Sequence, residues 1–281
     1  IWMCRTDMSY QRILTVQDLS CLGHCSGAVA LPVLSAWGHE TCLLPTALLS
    51  THTAFPAPYV RHLTEDTPAI AAHWKSQGIQ FDGILTGYLG SRADIQNVLD
   101  LTELLIPDGL CIVDPAMGDH GRLYSGLGDG YAQAMKDLCR RADILLPNVT
   151  EASILTGLPM PEKMTEAAAR ALLLALPNER VILTGAIEEP GATGVAVKEG
   201  AAVTFFRHRK QPGSFHGTGD LFAACFAGEV LRGESLGDSA AFAARFTGDC
   251  VVETAKDPKR AYGVKFEPLL WKITEKSGDR L

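Results

Sequence analysis

The sequence lacks the signatures of several common protein classes. No stretch matches GxxxxGK[ST] and no GxGxxG follows a strand-like segment, which argues against a P-loop NTPase and a Rossmann oxidoreductase. Nowhere do 18 apolar residues run together, so no ordinary transmembrane helix is predicted. Long like-charge runs, low-complexity tracts and internal repeats are also absent. Together these absences predict a compact, soluble chain.

Positive charge is scarce, with 25 Lys and Arg residues against 32 Asp and Glu residues and a formal net charge of −7. This balance argues against a broad nucleic-acid surface or an anionic-membrane surface, and we expect neither partner. The eight cysteines are scattered through apolar segments, which predicts reduced, buried thiols. The first residues contain no sustained apolar region, so we expect a cytoplasmic protein.

Apolar, β-favouring runs alternate along the chain with segments of helical period, the pattern of a parallel sheet covered by helices. Strands are predicted at 12–17, 41–45, 82–87, 110–115, 143–148 and 180–185, and helices at 63–77, 92–106, 129–141 and 162–176. Residues 191–208 instead predict an antiparallel hairpin at one edge, and the chain after residue 217 is helical almost to its end. We expect one domain over residues 1–281, with its core at about 12–255 and a helical extension at about 256–281.

Polar groups follow five of these strands. They are Gln17-Asp18, Thr86-Gly87-Tyr88, Asp114-Pro115, Pro147-Asn148 and Thr184-Gly185. Strand ends are often polar simply because they enter loops. Because ligands bind at the carboxyl ends of strands in open parallel sheets, we nevertheless expect these groups to converge on one rim.

The stretch Gly217-Thr218-Gly219-Asp220 stands directly before a segment of helical period. The first N–H groups of a helix lack internal partners and bind phosphate oxygens, and glycines let the anion approach the backbone. Asp220 would lie in the first turn, where it could accept the proton of an attacking hydroxyl. The alternative is an ordinary cap, since an acid in a first turn is favourable without any chemistry.

Two further stretches have the character of a nucleotide site. Asp114 ends a strand and Asp119 follows in a turn, while Asn148 ends another strand and Glu151 lies one helical turn later. Carboxylates beside phosphates usually indicate Mg²⁺. A helix-capping pair of Asn148 with Glu151 is the structural alternative, and the two roles are compatible.

These motifs together resemble the ribokinase-like superfamily, and most closely its pyridoxal (vitamin B6) kinase branch. The resemblance rests on GTGD at 217–220, DPAMGD at 114–119, PNVTEASILTG at 147–157, TGYLGS at 86–91 and STHT at 50–53, and it extends over about residues 12–255. It implies a three-layer α/β/α sandwich with a mostly parallel central sheet. It also implies ATP-dependent phosphorylation of the 5′-hydroxymethyl group of pyridoxal, pyridoxamine or pyridoxine, with Mg²⁺ and a homodimer.

By matching position, the resemblance assigns a role to each candidate residue. Asp220 would be the catalytic base, and Gly217, Thr218 and Gly219 would form the anion hole. The ATP site would contain Asp114, Tyr124, Asn148 and Thr184, with Asp119 and Glu151 holding the metal. The vitamin ring would lie near Asp18, Thr53 and Tyr88.

The chain departs from the family pattern at four positions. Asp18 stands where these kinases carry serine, Leu146 replaces threonine, Thr51 replaces asparagine, and Gly185 stands where a small hydroxyl residue is often found. None of them belongs to the groups assigned to phosphoryl transfer. They leave open which vitamer is preferred.

Three other functions are compatible with parts of the sequence. A hydroxymethylpyrimidine kinase phosphorylates a similar group, but its usual GAGIQAD stretch is absent from residues 19–32. A sugar kinase would carry lid strands with Gly-Gly and Asn signals that are absent after Thr41. A non-catalytic nucleotide sensor would have no need of Asp220.

Overall fold

A central sheet between two layers of helices organises the chain. The computed structural model describes residues 11–211, 215–257, 260 and 262–278. Its strands are β1 (Arg12–Ser20), β2 (Glu40–Leu49), β3 (Val60–His62), β4 (Gly83–Thr86), β5 (Leu110–Val113), β6 (Gly118–Asp119), β7 (Arg122–Leu123), β8 (Ile144–Leu145), β9 (Arg180–Glu189), β10 (Ala192–Glu199) and β11 (Ala202–Arg209). Its α-helices are α1 (Gly27–Ala36), α2 (Thr67–Ser76), α3 (Arg92–Leu105), α4 (Tyr131–Arg141), α5 (Val149–Thr156), α6 (Glu166–Ala175), α7 (Thr218–Leu231), α8 (Leu236–Ala255) and α9 (Trp271–Gly278).

The main sheet of the described residues has the order β11-β10-β9-β8-β5-β4-β1-β2-β3. Every pairing from β2 through β1, β4, β5 and β8 to β9 is parallel. The predicted mostly parallel sheet with an antiparallel edge hairpin is therefore confirmed, with β10 and β11 forming the hairpin. The opposite edge is also antiparallel, because the short, exposed β3 pairs with β2.

Two hydrophobic cores fill the sandwich, one on each side of the sheet. Helices α1, α7 and α8 cover one face, with Trp37, Phe226 and Phe246 fully buried between them and the strands. Helices α2 to α6 cover the other face around Tyr131 and Met135. The two layers leave the carboxyl ends of the parallel strands open between helix N-termini, which is where a ligand can enter.

The cysteine prediction is correct in part. All cysteines among the described residues are free, and Cys111, Cys139, Cys225 and Cys250 are buried. Cys25 and Cys42 are half-buried, and Cys21 is exposed in the loop after β1. The remaining cysteine, Cys4, lies outside the described residues. Across the same part of the chain, no helix has the length and apolarity needed to cross a bilayer.

Candidate active site

A cleft of about 810 Å³ opens at the carboxyl ends of the parallel strands, beside the N-terminus of α7. Ten of the predicted site residues line it: Asp114, Asp119, Tyr124, Asn148, Glu151, Thr184, Gly217, Thr218, Gly219 and Asp220. They come from the segments after β5, β7 and β8, from β6, from the middle of β9, and from the first turns of α5 and α7. The structure therefore gathers residues that lie more than a hundred positions apart into one rim.

The α7 N-terminus has the geometry of an anion site. Gly217 precedes the helix in a left-handed conformation, with φ of 81°. A Cβ at Gly217 would lie 1.9 Å from the backbone oxygen of His24, so only glycine fits this turn. Nothing lies within 4 Å of a Cβ placed at Gly219, so this backbone faces open space. The first N–H groups of α7 are thus accessible to an oxyanion in the cleft.

Asp220 lies in the first turn of α7 and is half-buried. Burial raises the pKa of Asp220 above its ordinary value, and a hydrogen bond from the Ser26 backbone N–H opposes that rise. A carboxylate with a raised pKa is a stronger base, and this one is held beside the anion site. Its environment fits the role of proton acceptor.

Asp18 lies near the end of β1 and is 5% exposed. The pairing register between β1 and β2 shifts between Gln17 and Leu19, so the regular ladder is interrupted at Asp18. Burial raises the pKa of Asp18 to about 6; the charge of Asp220 adds to the rise, and the Ser26 hydroxyl, hydrogen-bonded to Asp18, opposes it. Asp18 therefore lies close to Asp220 and shares a partner with it.

Asn148 and Glu151 form the predicted capping box at the start of α5. The Asn148 side chain accepts from the Glu151 N–H at 2.9 Å, and the Glu151 carboxylate accepts from the Asn148 N–H at 2.8 Å. Glu151 also accepts from the Met117 N–H at 3.0 Å, which ties the loop after β5 to α5. Burial raises the pKa of Glu151 to about 7 despite these bonds.

Asp114 increases the negative charge of the cleft. Burial raises its pKa well above the ordinary value, and the charges of Glu151 and Asp220 raise it further. Mutual repulsion among carboxylates in a partly desolvated site favours binding of a cation or proton there. Asp119, by contrast, is exposed, and it accepts a bond from the N–H of the neighbouring His120 at 2.7 Å.

A magnesium ion fits these residues only together with a nucleotide. Among the described residues, no three His, Cys, Asp or Glu side chains converge into a preformed metal site. Glu151 already accepts from backbone N–H groups of Met117, Gly118 and Asn148, which leaves little of its carboxylate free. Mg²⁺ usually keeps several waters and binds one or two carboxylates plus substrate phosphates. Of the two carboxylates predicted to hold the metal, the exposed Asp119 fits this mode better than the buried Glu151.

The three residues predicted to lie near the vitamin ring differ in burial and in their position in the fold. Tyr88 is half-buried; burial and the charge of Asp18 raise its pKa, and its ring centroid lies 6.4 Å from that of Tyr124. None of Asp18, Thr53 and Tyr88 is among the residues that line the cleft. Thr53 lies in an exposed loop after β2. Its neighbour His52 is the buried residue of that loop, with its ring centroid 5.1 Å from that of His216. The role of Thr53 stays a prediction.

The sequence interpretation missed two groups of residues. Ser26, buried before α1, opposes the rise in pKa of both Asp18 and Asp220, although no motif marks it. Arg209 and Lys210, at the end of β11, line the cleft with His216 and supply positive charge there. The basic run Arg207-His208-Arg209-Lys210 is the sequence signal for this second group, and its last two residues lie beyond the hairpin predicted at 191–208.

Comparison with known proteins identifies one family of small-molecule kinases, whose members carry two substrate names. The sequence profile of the family described as phosphomethylpyrimidine kinase matches residues 57–264. A curated pyridoxine/pyridoxal/pyridoxamine kinase from Bordetella avium is 31% identical over 288 residues, covering 92% of this chain and 94% of that protein. The crystal structure of pyridoxal kinase from Lactobacillus plantarum is 36% identical with a TM-score of 0.88, covering 96% of this chain and 99% of that one.

A Bacteroides thetaiotaomicron protein described as a phosphomethylpyrimidine kinase and crystallised with pyridoxal is 32% identical with a TM-score of 0.84, covering 96% of each chain. The similarity in sequence and fold thus extends over nearly the whole chain. The protein therefore belongs to the phosphomethylpyrimidine kinase family and groups with the pyridoxal kinases of the ribokinase-like fold.

Proposed function

We propose that this protein transfers the γ-phosphoryl group of ATP to the 5′-hydroxymethyl group of pyridoxal, pyridoxamine or pyridoxine, forming the 5′-phosphate and ADP. The observation that carries the proposal is the position of Asp220, half-buried in the first turn of α7 beside the open backbone of Gly219. The kinase names of the Bordetella avium and Lactobacillus plantarum relatives support the vitamin as acceptor.

Different residues of the cleft have different roles in phosphoryl transfer. Asp220 accepts the proton of the attacking hydroxyl, a task favoured by its raised pKa. The N–H groups at residues 217–219 stabilise negative charge that develops on the transferred phosphoryl oxygens. Asp114, Tyr124, Asn148 and Thr184 line the part of the cleft assigned to ATP.

Asp119 and Glu151 would hold Mg²⁺ when it arrives with the nucleotide. The ion would neutralise charge on the phosphate oxygens, which the acidic cleft does not do by itself. Arg209 and Lys210 supply further positive charge at the rim.

Asp18 and Tyr88 would contact the vitamin ring, with Thr53 added if its loop folds over the acceptor. An ionised Asp18 cannot donate a hydrogen bond, so it would select a ring N–H or an amine. The proximity of Asp18 to Asp220 supports this placement, because the acceptor hydroxyl must reach Asp220.

A hydroxymethylpyrimidine kinase is the second candidate. The family profile carries the name phosphomethylpyrimidine kinase, and the chemistry at Asp220 would be the same. The two substrates differ in the ring that Asp18 would contact, so only an assay with both alcohols separates them.

We also propose that the protein acts in the cytoplasm as a homodimer. Its resemblance to pyridoxal kinases supports both statements, and size-exclusion chromatography with light scattering tests the second. A mass equal to one chain across the micromolar range would contradict it.

The experiment that tests the function is a coupled ADP assay with Mg-ATP and each of the three vitamers. ADP formation that depends on the vitamer supports the proposal. Absence of ADP with all three vitamers would contradict the vitamin assignment, and absence with hydroxymethylpyrimidine as well would contradict the kinase activity.

A further inference from the structure

A short segment after α8, residues 262–267, crosses the turn that precedes α7. The Val264 N–H donates to the His216 carbonyl at 3.0 Å, and His216 comes directly before Gly217. Val264 is fully buried and Phe266 is 2% exposed, so both side chains are anchored in the hydrophobic core that α7 and α8 cover. This segment, which we call the strap, therefore holds the backbone at the edge of the proposed anion hole.

The backbone of His24, in the loop between β1 and α1, lies between the strap and that turn. The His24 N–H donates to the Tyr262 carbonyl at 2.8 Å, and His24 forms an isolated parallel bridge with Gly263. A Cβ at Gly263 would lie 2.7 Å from the His24 backbone oxygen, and a Cβ at Gly217 would lie 1.9 Å from the same atom. One backbone oxygen thus packs against a glycine of the strap and against the glycine of the turn, so none of the three residues can shift alone.

The imidazole ring of His24 also binds the strap. Its Nδ1 lies 2.6 Å from the Val264 carbonyl oxygen, and its Nε2 lies 2.9 Å from a Glu267 carboxylate oxygen. The Arg260 guanidinium approaches the same Nδ1 at 2.8 Å. In the cationic ring Nδ1–H donates to Val264, and in the neutral ring Nδ1 accepts from Arg260, while Nε2–H donates to Glu267 in both states. The ring therefore stays bound to the strap in either state.

Neither substrate contact nor metal binding accounts for this network. His24 and Glu267 are not among the residues that line the cleft. Cys21 and Cys25 stand on either side of His24 in the sequence, but both ring nitrogens have protein partners. Nowhere in the described part of the chain do three His, Cys, Asp or Glu side chains converge as a metal site would require. What His24 does contact is the backbone that carries the anion hole.

We propose that His24 and the strap position the anion hole for phosphoryl transfer. Together they hold the His216–Gly217 backbone so that the first N–H groups of α7 point at the transferred phosphoryl group before it reacts. Donors that are fixed in advance need no reorganisation in the transition state. His24 is a positioning residue, since it acts through the backbone of Gly217. This inference rests on the proposed function, because it assigns the γ-phosphate to the N-terminus of α7.

The test compares nucleotides with and without the γ-phosphate. His24→Ala removes the ring and keeps the backbone N–H and carbonyl that contact the strap and the turn. We expect the variant to bind Mg-ADP normally, because the residues assigned to the nucleotide are unchanged. The additional affinity for Mg-AMP-PNP, which carries a third phosphate, should fall about tenfold, since hydrogen bonds to that charged group lose their alignment. Calorimetry in the absence of any vitamer measures both affinities.

Kinetics give a second measure of the same effect. In His24→Ala, kcat should fall by about ten- to a hundredfold, less than the loss typical for deleting an oxyanion-hole donor, because the N–H groups are displaced and not removed. KM for the vitamer should stay unchanged, since an interaction made only in the transition state affects kcat.

The exposed Glu267 provides a pair of variants that do not disturb the core. Glu267→Gln still accepts the bond from His24 Nε2 and should keep most of the activity. Glu267→Ala removes the acceptor and should lower kcat and the additional affinity for AMP-PNP in the same direction as His24→Ala. If His24→Ala does not fold, the comparison of Glu267→Ala with Glu267→Gln decides the question.

His39→Ala is the matched control. His39 is also a buried histidine, 7% exposed, and its Nε2–H donates to the Gly228 carbonyl at 2.8 Å near the other end of α7. This substitution removes an equivalent contact to the same helix and leaves the strap intact. The variant should lose Tm but keep the full additional affinity for AMP-PNP.

The ratio of AMP-PNP affinity to ADP affinity decides the inference. A lower ratio in His24→Ala than in His39→Ala supports it. Equal ratios in the two variants, whatever their Tm values, overturn it, because His24 then serves folding alone. An unmodified protein that binds AMP-PNP no more tightly than ADP also overturns it. If the unmodified protein prefers AMP-PNP but phosphorylates no vitamer, the proposed function fails while this comparison still decides the role of His24.

Discussion

Asp220, in the first turn of α7, lies close enough to Asp18, near the end of β1, for its charge to raise the pKa of the Asp18 carboxyl. Two carboxylates in one partly desolvated site take different roles when their environments differ. Asp220 is at the positive end of a helix, whereas Asp18 is buried against Ser26. We therefore assign proton transfer to Asp220 and ring recognition to Asp18.

The first prediction concerns the base. Asp220→Asn keeps the shape of the side chain but cannot accept the proton, so kcat should fall by about 10² to 10⁴. Nucleotide affinity, measured by calorimetry, should change little.

Asp238→Asn is the matched control, because Asp238 occupies the first turn of α8 outside the cleft. This substitution removes a first-turn carboxylate that takes no part in the reaction, so the turnover of the variant should stay normal. Near-normal turnover in Asp220→Asn would show that Asp220 serves only as a helix cap.

The second prediction concerns the anion hole. Gly219→Ala adds a methyl group that meets no protein atom within 4 Å, so the fold should be retained. The same methyl group would occupy the space assigned to a phosphate oxygen. ATP affinity should therefore fall at least tenfold, about 1.4 kcal/mol, with no loss of Tm.

Gly217→Ala provides the contrast. Its methyl group would lie 1.9 Å from the His24 backbone oxygen and its φ is +81°, so this variant should lose both Tm and ATP binding. ATP affinity unchanged in Gly219→Ala would contradict the anion hole.

The third prediction concerns substrate choice. Pyridoxamine carries a primary ammonium where pyridoxal carries a neutral aldehyde, and a charge-assisted contact contributes about 1.5 to 3 kcal/mol. We expect kcat/KM to favour pyridoxamine, and Asp18→Ser to lose activity mainly toward pyridoxamine. Equal losses for the two vitamers would show that Asp18 contacts a group common to both.

These predictions depend on features that the sequence reveals unequally. The GTGD stretch and the Asn148–Glu151 capping box are local, so a short window of sequence shows the helix N-terminus and its polar groups. The starts of β1, β5 and β9 were also predictable from their apolar runs, but only β5 ends at the predicted polar residues. β1 continues to Ser20 and β9 to Glu189, because each pairs with a long neighbouring strand, so Gln17-Asp18 and Thr184-Gly185 lie within strands. Their convergence followed from the rule that parallel strands present their carboxyl ends on one rim.

Other features depend on contacts between distant segments. Helix α1 was missed because it packs between the sheet and α7, so its residues are nearly all apolar and show no period of 3.6. The φ of Ser26 is set by packing against β1, which no local pattern reveals. His52, not Thr53, is the buried residue of its loop, and its ring lies against that of His216, far along the chain.

The fourth prediction concerns stability and pH. Burial raises the pKa of Asp18 from 3.8 to about 6 in the folded protein. The Asp18 carboxyl therefore binds a proton more tightly in the folded state than in the unfolded state. The stabilisation of the folded state by this protonation is fully present below about pH 4 and is lost as pH rises through about 6. In the ligand-free protein, Asp18→Asn should flatten the fall of Tm between pH 4 and 6.

The exposed Asp129 gives a control for the loss of one carboxylate, since Asp129→Asn removes the same charge at the surface. The slope of Tm against pH in that variant should match the unmodified protein. If Tm falls with pH as steeply in Asp18→Asn as in Asp129→Asn, then Asp18 is not protonated more readily in the folded state than in the unfolded state.

The central claim, that this cleft phosphorylates the hydroxymethyl group of vitamin B6, is tested most directly by competition. Equimolar pyridoxine, pyridoxamine and hydroxymethylpyrimidine are incubated with Mg-ATP and limiting enzyme, and the phosphorylated products are identified by mass spectrometry and ³¹P NMR. Our account predicts that the 5′-phosphates of the B6 vitamers dominate and disappear in Asp220→Asn. A product mixture dominated by the pyrimidine phosphate, or vitamer phosphates formed equally well by Asp220→Asn, would contradict it.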